Sequence, residues 1–367
     1  MIRLATVFSG IGSVEWALKR MNIDYEIVFA CDNGDVELKN IDEEETIKHI
    51  FSLKTLEEQK KYEQELYSNC KKTNFVKQSY MANYDIKDDD FRYNVRFLDG
   101  TKYANKVDLF VGGSPCQAFS IMGYQMGFED TRGTLFYEYA RLVKEIQPKV
   151  FIYENVQGLL KHDGGKTWKR IQEVFEELGY NFSYRVVDSK DCGIPQTRRR
   201  LIVVGFKKKD KNIEEPKVKD LEFTLQDFLE TTTKYKNFRC TDGKIEIIKE
   251  QGEVDDKYFL SEAVCRHVMS PGSGNYYTKP EIDLKIARPL LATMHKMHRA
   301  GVDNYVTHKG KIRKLTPREC MRLMGYDDSF KIVVSDTQAY KQAGNSIVVD
   351  VMIAILNEIL KIEDFKE

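Results

Sequence analysis

VDLFVGGSPCQ, at residues 107–117, joins an apolar run to a turn of glycine, serine and proline and then to a single cysteine. An apolar run of this length that is bounded by turn residues is typical of a buried strand. The turn would then place Cys116 at the edge of a sheet. Because only a thiolate attacks carbon, this placement predicts a catalytic nucleophile with positive charge or an acid partner nearby.

Other apolar runs of strand length flank this one and alternate with helical patterns. Strands are predicted at residues 4–8, 26–30, 107–111, 150–153, 184–187 and 200–206, and helices at 13–21, 136–145 and 168–178. Alternating strands and helices predict an α/β fold built on a doubly wound, mostly parallel sheet. In such sheets, ligands bind beyond the carboxyl ends of the strands.

The composition is that of a globular protein. The 367 residues, 42% hydrophobic and 31% charged, are enough for one large domain or two ordinary ones. No signal peptide and no run of roughly 18 apolar residues are evident, so a cytoplasmic protein without a membrane span is expected. The seven cysteines are an odd number and form no C-x-x-C pair, which indicates neither a disulfide framework nor a zinc site.

The alternating pattern ends near residue 206, and about a hundred residues of short runs and turns follow. We therefore predict a catalytic domain of residues 1–206 and 313–367, with a smaller domain of residues 207–312 between its two parts. Residues 37–76 are a hydrophilic insertion that is expected to be helical. The closing stretch, residues 346–360, is apolar at helical spacing and is predicted to pack on the first domain.

Charge is unevenly distributed along a chain whose formal net charge is zero. Zero net charge argues against a protein that simply coats nucleic acid. Residues 266–318, however, contain eleven Lys or Arg against three acidic residues, together with four of the six histidines. This segment is also rich in glycine and aromatic residues, which suits a groove that contacts phosphates.

A glycine-containing turn, FSGIG at residues 8–12, follows the first predicted strand and precedes a helix. Glycines in this context allow a nucleotide-like ligand to approach the backbone closely, although tight packing gives the same pattern. Asp32 follows the second strand, where a doubly wound fold places an acid that accepts ribose hydroxyls. Asp85 and Ile86 could contact an adenine edge. Each carboxylate could equally cap a helix.

Charged residues also stand at the ends of two further strands. Glu154 and Asn155 end the strand next to that of Cys116, so the carboxyl group could exchange a proton opposite the thiol, with a pKa raised by partial burial. Arg198 and Arg200 begin another strand and lie on the same face of it. They could hold an anionic or carbonyl-bearing substrate. Taken singly, the glutamate could be a capping residue and each arginine a surface charge.

Six blocks of sequence, in this order, resemble those of the DNA cytosine-5 methyltransferases. They are FSGIG at 8–12, PCQ at 115–117, ENV at 154–156, QTRRR at 196–200, RKLTPREC at 313–320 and QAGNS at 342–346. The resemblance covers nearly all of residues 1–36, 78–206 and 313–360. It implies the fold of the S-adenosylmethionine-dependent methyltransferases, with residues 207–312 as the target-recognition domain.

The resemblance implies methyl transfer from S-adenosylmethionine to carbon 5 of a cytosine in a short, specific sequence of duplex DNA. Cys116 would attack carbon 6, while Glu154 would bind the amino and ring-nitrogen edge of the base and supply a proton. Arg200 would hold the carbonyl oxygen of the base. Arg198 would help to order Cys116 and the approaching loop, and Asn155 would orient the pocket.

Cofactor and DNA contacts are likewise implied by the resemblance. The residues expected to bind the cofactor are Phe8, Gly10, Ile11, Gly12, Asp32, Asn33, Asp85, Ile86, Pro115, Leu135, Asn345 and Ser346. A cytosine in a duplex must be flipped out before its ring can be attacked, and the glycines within residues 118–135 suit a loop that does this. The residues expected to contact DNA are Gln117, Ser120, Gln125, Gly272, Ser273, Asn275, Tyr276, His295, Lys296, His298 and Arg299. The two histidines lack further ligands, so no metal site is expected.

The expected partner is double-stranded DNA, bound by a monomer of bacterial or phage origin, in a restriction-modification system or as an orphan modification enzyme. Any cognate restriction endonuclease would be a separate protein. One alternative is a transfer RNA cytosine-5 methyltransferase, but the Cys-Phe-Thr signature of that branch is absent from residues 207–312. Another is a catalytically silent DNA-binding regulator, which would be expected to lack Cys116, Glu154 or the arginines.

Overall fold

The structure is a computed structural model that describes residues 1–114, 135–208, 210–231, 236–241, 243–249, 252–273, 276–363 and 365. A seven-stranded sheet forms its centre. The strands are β1 (Ile2–Val7), β2 (Tyr25–Cys31), β3 (Phe91–Arg92), β4 (Leu109–Gly112), β5 (Val150–Val156), β6 (Asn181–Asp188) and β7 (Arg199–Phe206). Their order across the sheet is β3-β2-β1-β4-β5-β7-β6. Neighbours from β3 to β5 are parallel, whereas β7 is antiparallel to both β5 and β6. The predicted α/β class with a mostly parallel sheet is confirmed.

Helices cover both faces of this sheet. The helices are α1 (Ser13–Arg20), α2 (Glu43–Ser52), α3 (Leu56–Ser68), α4 (Phe75–Asn83), α5 (Leu135–Ile146), α6 (Lys166–Glu177), α7 (Glu262–Val268), α8 (Pro317–Leu323), α9 (Asp336–Asn345) and α10 (Val349–Ile362). Strand alternation divides the core in two. Leu109 and Ile152 belong to the core shared with α1 and α10, whereas Phe110 and Phe151 belong to the core shared with α5 and α6.

The C-terminal helices pack into the protein as predicted for residues 346–360. In the described part of the chain, one stretch, Asp336–Ile362, is long and apolar enough to cross a membrane by length and composition. It comprises α9, α10 and the turn between them. Its most apolar window is 72% buried inside the protein, and α10 packs on α1. Such burial is typical of the core helix of a globular domain.

The insertion at residues 37–76 folds into α2, α3 and the start of α4. Side-chain caps define where its helices begin: Asp42 accepts from the Glu45 N–H, and Thr55 forms a capping box with Glu58. The helices enclose a separate apolar cluster that includes Ile50, Tyr67 and Phe97. The insertion is therefore an ordered layer beside β2 and β3.

Residues 207–312 make two kinds of contact. Leu225 and Phe228 are buried in the same core as α1 and α10, and the Gly243 N–H donates to Arg20 O in α1 at 2.7 Å. A separate apolar cluster includes Val268 and Tyr305, with partly buried neighbours between residues 260 and 312. The strands here form antiparallel pairs: β8 (Lys236–Thr241) with β9 (Lys244–Lys249), β10 (Gly272–Ser273) with β11 (Tyr276–Tyr277), and β12 (Tyr305–His308) with β13 (Lys311–Lys314).

Candidate active site

Several of the residues singled out above lie along one edge of the sheet. The parallel strands β1, β2, β4 and β5 end at this edge, and the antiparallel β7 begins there. The turn at residues 8–12, Asp32, Gly113, Glu154 and Arg200 consequently lie along it. This is where a doubly wound sheet binds its ligands.

Glu154 and Arg200 form an ion pair at this edge. Arg200 Nε lies 2.9 Å from Glu154 Oε1, and the two side chains are 19% and 15% exposed. Burial raises the pKa of Glu154, and the positive charges of Arg200 and Arg198 partly offset this rise. A carboxyl group in this state holds its proton to a higher pH than an exposed glutamate. The pair can therefore supply both a proton and a cationic donor to the polar edge of a planar ring.

Gly113 brings the end of β4 directly against Glu154. A Cβ atom at this position would lie 2.7 Å from Glu154 Oε2 and 2.8 Å from its backbone oxygen, so a larger residue would force the strands apart. The segment that leads to Cys116 thus leaves the sheet beside the half-buried Glu154 carboxyl group. Cys116 itself lies outside the described residues, as do Pro115, Gln117, Ser120 and Gln125.

Asn155 fastens the end of β4 to β5. Its Nδ2 donates to Ser114 O at 3.0 Å and to the Tyr153 hydroxyl at 2.9 Å. That hydroxyl also lies 2.8 Å from Ser114 Oγ, and Asn155 is only 3% exposed. The last described residue before Cys116 is therefore held at both its carbonyl and its hydroxyl by the strand that carries Glu154.

Arg198 is a buried cation whose guanidinium group donates to backbone carbonyls. Nη1 donates to Leu290 O at 2.9 Å, and Nη2 donates to Gly344 O and Ser346 O at 2.8 and 2.9 Å. Burial, reinforced by the charge of Arg200, lowers its pKa to about 9, although Glu154 opposes this. Arg198 thus joins the start of β7 to the α9–α10 turn and to the segment before residue 291. The predicted role of Arg198 in ordering Cys116 and the approaching loop involves residues outside the described ranges.

The turn at residues 8–12 and Asp32 form a cradle that fits a nucleoside. Asp32 accepts the Gly10 N–H through Oδ2 and the Gly34 N–H through Oδ1, both at 2.9 Å. A carboxylate has about four acceptor positions, so this one retains capacity for ribose hydroxyls. Burial raises the pKa of Asp32, and the two backbone N–H groups offset part of the rise. No atom lies within 4 Å of the position where a Cβ of Gly10 would be, apart from its chain neighbours, so a ligand has room beside the turn.

The other residues predicted on the cofactor side occupy more varied positions. Tyr84, just before Asp85, is buried against Gly12 and donates to Ile11 O and Gly12 O. Phe8, Ile86 and Leu135 are half-buried; Phe8 has a left-handed φ of 54°, and Leu135 begins α5. Asn33, Asp85 and Asn345 are exposed. Ser346 is buried, with Oγ 2.9 Å from the Tyr326 hydroxyl.

Tyr93 and Asn94 follow the short strand β3, and no sequence pattern singled them out. Because β3 is parallel to β2, its carboxyl end lies at the same edge as Asp32, whereas Asp85 and Ile86 precede β3. A two-residue strand leaves no apolar run to detect. The signal that could have found it is the helix at residues 75–83 followed by Phe91, since a strand is expected after each helix of a doubly wound fold.

The two segments predicted to contact DNA adjoin each other. Arg299 Nε donates to Ser270 Oγ at 3.0 Å, which joins the residues before β10 and β11 to those around His298. Lys296 is exposed, whereas His295, His298 and Arg299 are half-buried. Gly272, Ser273 and Tyr276 belong to β10 and β11, and Asn275 lies outside the described residues. Among the residues described, no group of three His, Cys, Asp or Glu is arranged to hold a metal ion.

Comparisons with known proteins agree with this geometry. The family described as C-5 cytosine-specific DNA methylase matches residues 56–361. Type II methyltransferase M.SsoII of Shigella sonnei is 37% identical over 299 residues, which are 79% of this chain and 72% of that protein. Type II methyltransferase M.HhaI of Haemophilus parahaemolyticus is 38% identical over 249 residues, or 67% and 73% of the two chains. The solved structure of S. pombe Dnmt2 methyltransferase has a TM-score of 0.62 at 17% identity, covering 98% of this chain and 99% of that one; this likeness shows the shared fold.

Proposed function

The chain belongs to the C-5 cytosine-specific DNA methylase family, and we propose that, as a DNA cytosine-5 methyltransferase, it methylates a flipped-out cytosine within a specific duplex sequence. The observation that carries this proposal is the half-buried ion pair of Glu154 and Arg200 beside Gly113, at the point where the chain leads to Cys116. This site presents a proton donor and a cation to one heterocyclic ring. S-adenosylmethionine, when bound, supplies the methyl group.

The chemistry assigned to these residues answers a specific difficulty, which is that carbon 5 of cytosine is a poor nucleophile. The Cys116 thiolate would form a bond to carbon 6, and the electron pair displaced from the 5,6 double bond would make carbon 5 nucleophilic. Glu154 would donate a proton to the ring nitrogen as negative charge develops there. After carbon 5 has gained the methyl group, loss of its proton and departure of the Cys116 thiolate would restore the ring.

The remaining catalytic residues would position this chemistry. Arg200 would hold the carbonyl oxygen of the base, because its Nε lies beside the Glu154 carboxyl group, which would bind the amino and ring-nitrogen edge of the same base. Asn155 would keep the Cys116 segment in register with β5 through its bond to Ser114 O. Arg198 would support the pocket without contacting the base, since its buried guanidinium donates to backbone carbonyls of the α9–α10 turn.

The cofactor would occupy the cradle at the carboxyl ends of β1 and β2. Asp32 would accept hydrogen bonds from the ribose hydroxyls. The backbone atoms of Phe8, Gly10, Ile11 and Gly12 would contact the ligand. Further contacts are proposed for Asn33, Asp85, Ile86, Pro115, Leu135, Asn345 and Ser346. The open space beside Gly10 and the remaining acceptor positions of Asp32 support this placement.

DNA would bind across residues 207–312 and the loop that follows Cys116. The exposed Lys and Arg residues between 266 and 311 would contact phosphates, whereas Arg313 is buried in an ion pair with Glu319. Side chains near Lys296 and Arg299 would reach base edges. Relatives named type II methyltransferases support a role in a restriction-modification system, in which an endonuclease would act as a separate protein. An orphan role is also represented among relatives, by the orphan methyltransferase M.SPRI of Bacillus phage SPR, which is 28% identical and matched over 98% of this chain and 97% of that protein.

A methyl-transfer assay tests the proposal directly. The purified protein is incubated with radiolabelled S-adenosylmethionine and either duplex DNA or transfer RNA, and the label is expected in DNA. Duplex DNA that contains 5-fluorocytosine should also trap a covalent adduct, because fluorine replaces the proton that must leave. Cys116→Ser should abolish that adduct. Label in RNA alone, or an undiminished adduct in the variant, would refute the proposal.

A further inference from the structure

Asn74, near the end of the insertion, connects α4 to the loop after β2 that contains Asp32 (the Asp32 loop), which precedes the insertion. Its Nδ2 donates to Asp32 O at 2.9 Å, and its Oδ1 accepts the Lys77 N–H at 2.8 Å as the N-cap of α4. The side chain is 9% exposed. One buried amide therefore uses its donor for the loop and its acceptor for the helix.

Close packing leaves this amide little freedom. Gly34 lies against Asn74, so a Cβ at position 34 would overlap the side-chain oxygen and carbon. The Gly34 N–H in turn donates to Asp32 Oδ1, while Oδ2 accepts the Gly10 N–H. A continuous set of hydrogen bonds thus runs from α4 through Asn74 and Asp32 to the glycine turn.

The insertion also fixes the neighbouring loop after β3. Glu63, from α3, is 1% exposed, and its Oε1 accepts the N–H groups of Tyr93 and Asn94 at 3.0 and 3.1 Å. Its other oxygen pairs with Arg92 in β3. The insertion therefore holds two adjacent loops at the carboxyl edge of the sheet, one after β2 and one after β3.

α4 is itself anchored, so Asn74 is held by a fixed element. Gln342 in α9 accepts from Ser79 Oγ and donates to Phe75 O, both at 2.9 Å. At the other end of α4, Asn83 Oδ1 accepts the Lys331 N–H at 2.8 Å. A side chain positions its target precisely enough for binding only when its own support is rigid, and α4 meets this condition.

We propose that Asn74 is a positioning residue for the cofactor, which holds the Asp32 loop so that its carboxylate meets the ribose hydroxyls. The insertion would thereby form the outer wall of the cofactor cradle. This inference rests on the proposed function, because it assumes that Asp32 binds the ribose of S-adenosylmethionine.

Asn74→Asp separates the two bonds of this side chain. Aspartate is as good an N-cap as asparagine, so the bond from the Lys77 N–H should be retained, and the melting temperature should fall by only a few degrees for the one lost bond. It cannot donate to Asp32 O, however, and losing one hydrogen bond of about 1.4 kcal/mol corresponds to roughly tenfold weaker binding. Calorimetric titration of the full chain with S-adenosylhomocysteine should therefore show a tenfold higher Kd, without any need for turnover.

Two further variants complete the test. Asn40→Asp adds the same charge to an exposed residue of the insertion and should leave the Kd unchanged. Gly34→Ala, whose Cβ would displace the Asn74 amide, should weaken S-adenosylhomocysteine as Asn74→Asp does. Wild-type affinity in Asn74→Asp, or equal weakening by Asn40→Asp, would overturn the inference. A wild-type chain that does not bind S-adenosylhomocysteine would refute the proposed cofactor and this inference with it.

Discussion

Asn155→Asp should slow methyl transfer by disturbing the segment that leads to Cys116, although Asn155 stands on the neighbouring strand. The substitution preserves shape and keeps an acceptor for the Val156 N–H, but it replaces the donor to Ser114 O by an oxygen. The buried Ser114 carbonyl then loses its partner, which costs about 1–3 kcal/mol. Repulsion between two oxygens 3.0 Å apart would also move the segment, and a shift of about 1 Å can cost roughly a hundredfold in rate.

The assay is single-turnover methyl transfer with saturating DNA and S-adenosylmethionine, alongside urea unfolding. We expect a rate that is lower by about tenfold to a hundredfold and an unfolding free energy lower by about 2 kcal/mol. Tyr153→Phe is the matched control, because it removes the hydroxyl beside Ser114 Oγ and leaves the bond to Ser114 O in place. A wild-type single-turnover rate in Asn155→Asp would refute the reasoning, as would an equal loss of rate in Tyr153→Phe.

Three other changes have definite expected outcomes. Glu154→Gln should reduce the single-turnover rate by about 10²–10⁴-fold, the usual contribution of a proton donor, with S-adenosylhomocysteine affinity unchanged in a binding titration. Arg198→Gln should lower the unfolding free energy in urea by about 3 kcal/mol, because three buried carbonyls lose their donors, and should slow methyl transfer more than it weakens DNA binding. Hydrogen bonds from Arg3 lower the pKa of Asp108, although burial opposes them. The folding stability that this ionised carboxylate contributes is therefore lost as the pH falls below the ordinary aspartate pKa near 3.8. Asp108→Asn should flatten that acid limb in urea unfolding measured from about pH 2 to 6.

Six of the seven strands of the sheet could be predicted because each is an apolar run with a turn at its end. β3 could not, because it has two residues and one of them is Arg92, whose burial depends on an ion pair with Glu63 from the insertion. That partner lies 29 residues away. The cofactor contacts predicted near this strand were therefore placed before it, at Asp85 and Ile86, and they stay a prediction.

At the edge that carries Glu154 and Arg200, the sequence predicted which residues lie there better than it predicted their contacts. Adjacency of strands placed Glu154 near the end of β4. Alternation predicted Arg198 and Arg200 on one face of a strand, but β7 begins at Arg199, so Arg198 precedes the strand. The partners of Arg198 are backbone carbonyls at Leu290, Gly344 and Ser346. Every residue has such a carbonyl, so no sequence pattern marks these three, and their convergence depends on the path of the whole chain.

The antiparallel direction of β7 explains why Arg200, from a distant block of the sequence, pairs with Glu154. A parallel strand between β5 and β6 would begin at the opposite edge of the sheet, and its first residues would lie one strand length from the ligand. Because β7 runs the other way, its first residues pair with the last residues of β5, with Arg200 opposite Val156 and Ile202 opposite Glu154. Arg200 is thus a diagonal neighbour of Glu154, within reach of a long side chain. The reversal of this strand is therefore what brings acid and cation together beside the turn that leads to Cys116.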